Sequence, residues 1–259
     1  MPYAFAHPLA VIPLHRLLGR SSVPSALAIG SVIPDAWYFV PSLTRADSHN
    51  PQGIVLFCLP AGLIAYAAFH LLFKLPLLAL LPPALAGRLR AWTVRGLPRA
   101  SWPALLLSLT AGALTHLTWD AFTHAGALSR AFPILETAVF DLAGHEVPLR
   151  QFLQHASTLL GAWFLAWWVS RKLRATAAPV YADAIARPAR IALLGFFLAV
   201  PLAAFAGVLL AAAAPAAFGI AELRDLARTG GLTALSALGI LTTAYCVMWR
   251  CSAGRRRFP

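Results

Sequence analysis

The chain has 259 residues, of which 59% are hydrophobic and only 12% charged, and it carries a formal net charge of +12. A soluble domain of this length holds roughly twice that charged fraction, so the soluble globular class is excluded in favour of a polytopic membrane protein. The positive charge does not point to nucleic acid, because the basic residues gather in alternate loops, as orientation in a bilayer requires.

The three cysteines, Cys58, Cys246 and Cys251, show no paired spacing. Neither a disulfide framework nor a cysteine zinc site is expected. No basic region precedes an apolar core at the N-terminus, so no cleavable signal peptide is expected. Arginine outnumbers lysine 19 to 2 and alanine is abundant, which suits a GC-rich bacterial genome.

Residues 1–53 are apolar but broken by Pro2, Pro8, Pro13, Pro24, Pro34, Pro41 and Pro51. Only short helices fit between these turns, and they are expected to lie on or dip into one bilayer surface. The first predicted span is Ile54–Phe73, ending at Lys74, with Asn50 as N-cap and Pro51 at the first helical position. Residues 75–102 mix prolines with Arg88, Arg90, Arg95 and Arg99 and suit a short amphipathic element. The second span is about Pro103–His124. A loop over 125–150 carries Glu136, Asp141 and Glu146. The third span, Gln151–Ser170, ends in Trp163, Trp167 and Trp168 ahead of Arg171, Lys172 and Arg174, an aromatic belt beside a basic cluster. The fourth and fifth spans are Ile191–Ala214 and Gly231–Trp249, followed by a tail containing Arg255, Arg256 and Arg257.

The expected fold class is therefore all-α: a helical bundle of about five transmembrane helices plus short interfacial N-terminal helices. Residues 1–170 are expected to form a metal-site membrane domain, and 171–259 two further spans and a basic tail. Loops 74–102 and 171–190 and the tail hold 14 Lys and Arg, against 7 in region 1–53 and loops 125–150 and 215–230. This bias places the chain in a bacterial inner membrane with the N-terminus outside and the C-terminus cytoplasmic.

The segment that concentrates chemistry is Ala113-Leu-Thr-His-Leu-Thr-Trp-Asp-Ala-Phe-Thr-His-Ala125. On a helix, a step of four residues advances only ~40°, so His116, Asp120 and His124 are expected to share one face. Ionisable groups inside an apolar run are costly and mark functional sites, and imidazole with carboxylate suits zinc or a similar divalent ion. The topology sends seven of the eight histidines to the outer side, leaving His70 at the other end. His7, Asp35 and His49 join the focal triplet there, and the six together suit one or two ions. The plainer alternative is a polar network bonding helix to helix. His15 reads as interfacial and His70 as an interior hydrogen-bonding group, while His145, Glu146 and His155 read as loop or packing residues.

Phe5-Ala-His-Pro8, Gly30-Ser-Val-Ile-Pro-Asp35, Ser48-His49, and Gly112-Ala-Leu-Thr-His116 with Asp120 and Thr123-His124 resemble an uncharacterised family of bacterial integral membrane proteins. Their order is also similar to that of membrane-bound metal-dependent hydrolases and, more distantly, of the all-helical zinc-dependent phospholipase C group. The resemblance covers about residues 1–160. It implies that Asp35, His49, His116 and Asp120 ligate one metal, that His7 joins Asp120 at another, and that His124 serves a further one. The phospholipases complete their site with a later His-x3-Glu, and this chain has none, so one or two ions are expected rather than three.

The expected function is that of an integral-membrane metal-dependent hydrolase acting on a phosphoester, with lipid or a lipid-linked molecule as the substrate class. Asp35 and Asp120 are its expected catalytic carboxylates, bridging metal ions or orienting water. The rival is a non-catalytic membrane protein whose cluster is a structural polar network or a structural metal site. No inverted repeat points to a transporter.

Overall fold

The computed structural model describes residues 4–40, 42–93, 96–142, 144–177, 185–212 and 220–253. Arg95, residues 213–214 of the fourth expected span and the tail arginines 255–257 lie outside the described residues, as does the side chain of His145. The chain divides into two compact units, one made of 1–67 with 98–175 and the other of 68–97 with 176–259.

In the first unit, the proline-rich N-terminal region forms the expected short pieces. These are 3-10 turns at Ala4–Ala10 and Ile33–Phe39 and helices at Val11–Leu18, Pro24–Gly30 and Arg45–Ser48. Proline opens two of them, Pro24 and Pro34 standing at the first turns, where the missing N–H costs nothing. The Pro24–Gly30 helix packs on the long Trp102–Thr123 helix. Its entry is tied down by the Val23 N–H, which donates to Ser108 Oγ at 2.8 Å. Glycines set how close the two helices come. A Cβ on Gly30 would strike the Leu109 backbone, and one on Gly112 would strike the backbone of Leu27 and Ser31. Leu27, Leu109 and Ala113 are fully or almost fully buried along this contact.

Asn50 caps the next helix as expected, its side chain accepting from the Gly53 N–H at 2.7 Å. The helix then runs from Pro51 to Leu80, past the expected stop at Lys74. Two π-turns, Ile54–Cys58 and Phe69–Phe73, precede Pro60 and Pro76. A wide turn re-routes the backbone bonds that an interior proline would break, which explains why Pro76 does not end the helix. Lys74 is consequently buried. Its Nζ lies 3.0 Å from His70 Nδ1 and donates to the Gly96 carbonyl at 2.8 Å, so His70 is the interior hydrogen-bonding group expected of it.

The loop expected at 125–150 is more ordered than a loop. A helix at Ala127–Ala131 and a 3-10 turn at Pro133–Glu136 lead into an antiparallel hairpin of Ala138–Leu142 (β1) with His145–Pro148 (β2). Gly144, at φ 80°, makes the turn. The fold is all-α in class, as expected, with this short hairpin as its one ribbon among the described residues. Two of the acidic residues of this region, Glu136 and Asp141, are bonded locally. Arg150 Nε donates to both oxygens of Glu136 at 2.9 and 3.0 Å, and Asp141 Oδ1 accepts from the Gly144 N–H. Leu149–Ala175 follows as one helix, on which Arg171 and Lys172 sit 5.7 and 5.9 Å over the rings of Trp167 and Trp168.

In the second unit, Arg187–Ala212 and Ile220–Ala253 pack side by side. Tyr245, Cys246 and Leu80 form its buried core, and the Tyr245 hydroxyl donates to the Pro76 carbonyl at 3.1 Å. Among the described residues, three helices are long and apolar enough to cross a membrane: Pro51–Leu80, Arg187–Ala212 and Asp225–Ser252. The second has a mean hydropathy of 2.5 with 0% of its window buried. Water is a poor solvent for such a surface and lipid a good one, so the protein associates with membranes. The other two expected spans are helices, but Ser108, His116, Asp120 and Thr123 give one a polar buried face, and the other carries Arg150, Gln151, Gln154 and His155 at its start and a basic end.

Substituting Gly112→Ala is expected to destabilise the protein by ~1–3 kcal/mol through overpacking against the Leu27 and Ser31 backbones. Gly195→Ala, where an added Cβ meets nothing within 4 Å, is expected to be neutral or slightly stabilising. Thermal unfolding in detergent followed by circular dichroism compares the two.

Candidate metal centre

His116 and Asp120 are one turn apart on the buried face of Trp102–Thr123. Because Gly112 lets the Pro24–Gly30 segment close in, the His116 ring reaches the Ser31 carbonyl, with Nδ1 2.9 Å from that oxygen. A carbonyl only accepts, so Nδ1 carries the proton and Nε2 keeps its lone pair. Pro34 starts the 3-10 turn that presents Asp35. His49 is held between two caps. Thr44 and Asp47 close a capping box on the turn before it, and Asn50 opens the helix after it. Ser48 Oγ lies 2.7 Å from His49 Nδ1, which aims the other ring nitrogen inward. His7 comes from the first 3-10 turn, which passes close to Gly161 of Leu149–Ala175 through Ala6.

These elements bring five of the six expected ligands to one point. His116 Nε2 lies 3.7 Å from Asp35 Oδ1 and 3.7 Å from Asp120 Oδ2. His49 Nε2 lies 3.3 Å from Asp120 Oδ2 and 3.7 Å from Asp35 Oδ1. The His7 ring stacks on His116 with centroids 4.0 Å apart, and His49 meets His116 edge-on at 5.3 Å. Two sets of donor atoms, one from His7, His116 and Asp120 and one from Asp35, His49 and His116, each lie within 4.8 Å of one another.

The chemistry of these atoms fits a cation. The Nε2 atoms of His7, His49 and His116 and Oδ1 of Asp120 are buried and make no hydrogen bond among the described residues. His49 Nε2 is near Asp120 but is not aligned to donate to it. Leaving four polar atoms unsatisfied costs on the order of 1–3 kcal/mol each, and a metal ion satisfies lone pairs of this kind. Donors held ~2.0–2.1 Å from a tetrahedral ion are ~3.3–3.5 Å apart, close to the separations above. The protein thus contains buried His/Asp groups that can hold a metal.

His124 sits differently from expectation. The helix ends at Thr123, and His124 takes an extended conformation (φ −119°, ψ 155°), so it leaves the line of His116 and Asp120. Its Nδ1 is 3.5 Å from Asp120 Oδ1 on the more open side, outside both donor sets. The chain leaves the helix just ahead of Gly126. Two partners were not legible in the sequence. The Ser31 carbonyl is one. Arg45 is the other: its Nη2 donates to Asp120 Oδ2 at 2.6 Å from 75 residues away. A surface arginine in a turn carries no periodic signal of such a role. Of the remaining histidines, His15 Nδ1 lies 2.8 Å from Ser22 Oγ, and His155 is exposed.

Burial and the neighbouring Asp120 charge push the Asp35 carboxyl up to about 6, against the pull of His49 and Arg45. Burial lowers the pKa of His7, partly offset by Asp120, so its ring is neutral at physiological pH and its nitrogen is available to a cation.

Fold and site together define a helical membrane-associated protein with a buried histidine–carboxylate centre. A family model described as Domain of unknown function (DUF4184) matches residues 1–246, and the chain belongs to that family. No match was found among curated proteins or among solved structures.

Purified protein is expected to retain a divalent ion, and His116→Ala to lose it while keeping its helical content. Because the Asp35 carboxyl is protonated as pH falls through about 6, proton and ion compete there. Affinity is expected to be nearly flat above pH 7 and to fall steadily between pH 6.5 and 5. Zinc titration by isothermal calorimetry at several pH values measures this, and a flat profile down to pH 5 would remove Asp35 from the ligand set.

Proposed function

We propose that this protein is a bacterial inner-membrane, zinc-dependent hydrolase of phosphoesters, with its centre at the outer bilayer face. The observation that carries the reading is the convergence of ligand atoms from four separate chain segments, three of which contribute buried atoms with no hydrogen bond among the described residues. A structural network would be expected to pair such atoms with one another; here they are aimed at a common point instead. His7, Asp35, His49, His116 and Asp120 hold the ion. Each ring nitrogen has a single lone pair, and both donor sets draw on His116 Nε2, so one ion is favoured over two. The arrangement of the basic loops supports five spans with the N-terminus outside.

When bound, the ion supplies Lewis acidity and brings the pKa of a coordinated water towards neutrality. The chain's own groups then divide the work. Asp35, 17% exposed at its side chain, would hold the ion through Oδ1 and accept the proton of the attacking water at its other oxygen, Oδ2. Asp120 is held in place by Arg45. Arg45, 39% exposed, keeps further N–H groups for phosphoryl oxygens, which a planar guanidinium binds in bidentate fashion. His116, fixed by Ser31, orients without moving.

The Arg45–Asp120 pair favours the rival to this extent: it already neutralises one carboxylate, as a structural fastening would. Activity separates the two readings. Zinc-loaded protein is expected to cleave bis(p-nitrophenyl) phosphate. Asp35→Asn is expected to lower kcat by at least ~10²-fold, the size of a general-base contribution, with the fold intact. Arg45→Ala is expected to raise KM for the anionic substrate. A parent protein that binds zinc stoichiometrically yet cleaves neither this ester nor a lipid phosphate overturns the hydrolase reading and leaves a structural metal site.

A further inference from the structure

The first unit contains a half-open apolar groove of about 1060 Å³, between the N-terminal segment and the helices Trp102–Thr123 and Leu149–Ala175. It is at the top of the ~300–1,000 Å³ range of small-molecule sites. His7 is part of its wall, and the His7 ring stacks on His116, so the groove borders the metal centre. Its polarity changes along its length. Ser157 and Thr158 line it from the earlier part of Leu149–Ala175 and Thr118 from Trp102–Thr123, with Trp119 Nε1 donating to Ser157 Oγ at 3.1 Å. Further along Leu149–Ala175 the walls become Leu160, Phe164 and Trp167, which are 59%, 47% and 45% exposed. Arg16 and Trp168 line it as well.

The geometry points to a lipid site: the groove takes one hydrocarbon chain of a phosphate-bearing membrane lipid, with the phosphate at the His/Asp centre. Three observations select this occupant. From Ser157 to Trp168 is eleven residues, ~16 Å at 1.5 Å each, close to the ~15 Å of one leaflet of a bilayer's hydrocarbon core. The gradient from hydroxyls to hydrocarbon follows that of a lipid from ester to tail, whereas an amphipathic helix of a partner would need an apolar strip throughout. Charge is complementary as well, since Arg45 stands exposed beside the centre where an anionic headgroup would come to rest. The lipid assignment rests on the hydrolase reading only for what the headgroup does; the binding of the chain stands apart from it.

The test is photolabelling in phosphatidylcholine nanodiscs. The probe is phosphatidic acid with a diazirine midway along one acyl chain, and unlabelled phosphatidic acid is the competitor. Zinc content is measured in parallel. The expected result is saturable labelling of peptides covering residues 111–119 and 157–168. Ala111→Trp, which fills the groove, is expected to reduce it at least 10-fold. Leu107→Trp, on the same helix but outside the groove, is expected to leave it unchanged, and zinc content is expected to be equal in all three proteins. Leu160→Trp gives the same reading should Ala111→Trp fail to fold. Labelling that the competitor does not reduce reports bulk lipid only and overturns the site, as does a folded Ala111→Trp that labels like the parent. Zinc-loaded protein that hydrolyses soluble phosphodiester without saturable labelling sinks the groove and spares the hydrolase. Saturable labelling of a protein that binds no zinc does the reverse.

Discussion

His116 Nδ1 bonds to a backbone carbonyl rather than to a side chain, and this fixes most of what the centre can do. A carbonyl cannot donate, so the ring is locked in the tautomer that leaves Nε2 an acceptor. The same contact requires the Ser31 backbone to lie against Trp102–Thr123, which only glycine at positions 30 and 112 permits. The tightest helix packing in the first unit and the chemistry of its centre are therefore one constraint. Had Nε2 carried the proton instead, it would have offered a donor to Asp35 and Asp120, and the cluster would have been an ordinary hydrogen-bonded network. In a low-dielectric interior, the difference between a satisfied network and a set of bare lone pairs amounts to several kcal/mol, enough to decide what the pocket prefers to hold.

Much of this was legible in the sequence, and the reasons differ residue by residue. His116 and Asp120 follow from a helical period in a run whose apolar background makes any polar residue conspicuous. Asn50 and Pro51 announce a helix start by their chemistry alone. His124 stays beside Asp120 but falls outside both donor sets, because the chain leaves the helix at that residue, ahead of Gly126. The helix runs past the stop expected at Lys74 because π-turns preceding Pro60 and Pro76 absorb the bonds those prolines would otherwise break. The hairpin at 138–148 had a weak signal in Val139, Asp141 and Gly144, but a nine-residue ribbon is short against the helical runs around it. Arg45 had no signal at all, since nothing local links it to a carboxylate 75 residues away.

Asp120 is the residue on which the functional readings converge. One oxygen accepts from Arg45, and the other is buried without a hydrogen bond among the described residues. An ion pair alone would use a carboxylate more fully than this. A carboxylate shared between a guanidinium and a metal is held at both oxygens, so its position is fixed even as charge changes nearby. That division of labour also keeps Arg45 at the rim, 39% exposed and bonded to Asp120 through Nη2.

Exposure within the cluster is graded, and the gradient gives the centre a direction. His116, His49 and Asp120 are at most 4% exposed at their side chains, Asp35 is at 17%, His124 at 24% and Arg45 at 39%. The interior therefore holds the donors, and the mouth holds the groups that can exchange protons or meet an anion. Asp35 stands between the two, buried enough for its carboxyl to be pushed up to about 6 yet open enough to meet water. A purely structural fastening gains nothing from such grading, because burying every member equally would strengthen each contact. The proposed hydrolase would need a dry floor to hold its ion and a cationic rim to meet an anion, and this order of side chains supports that proposal.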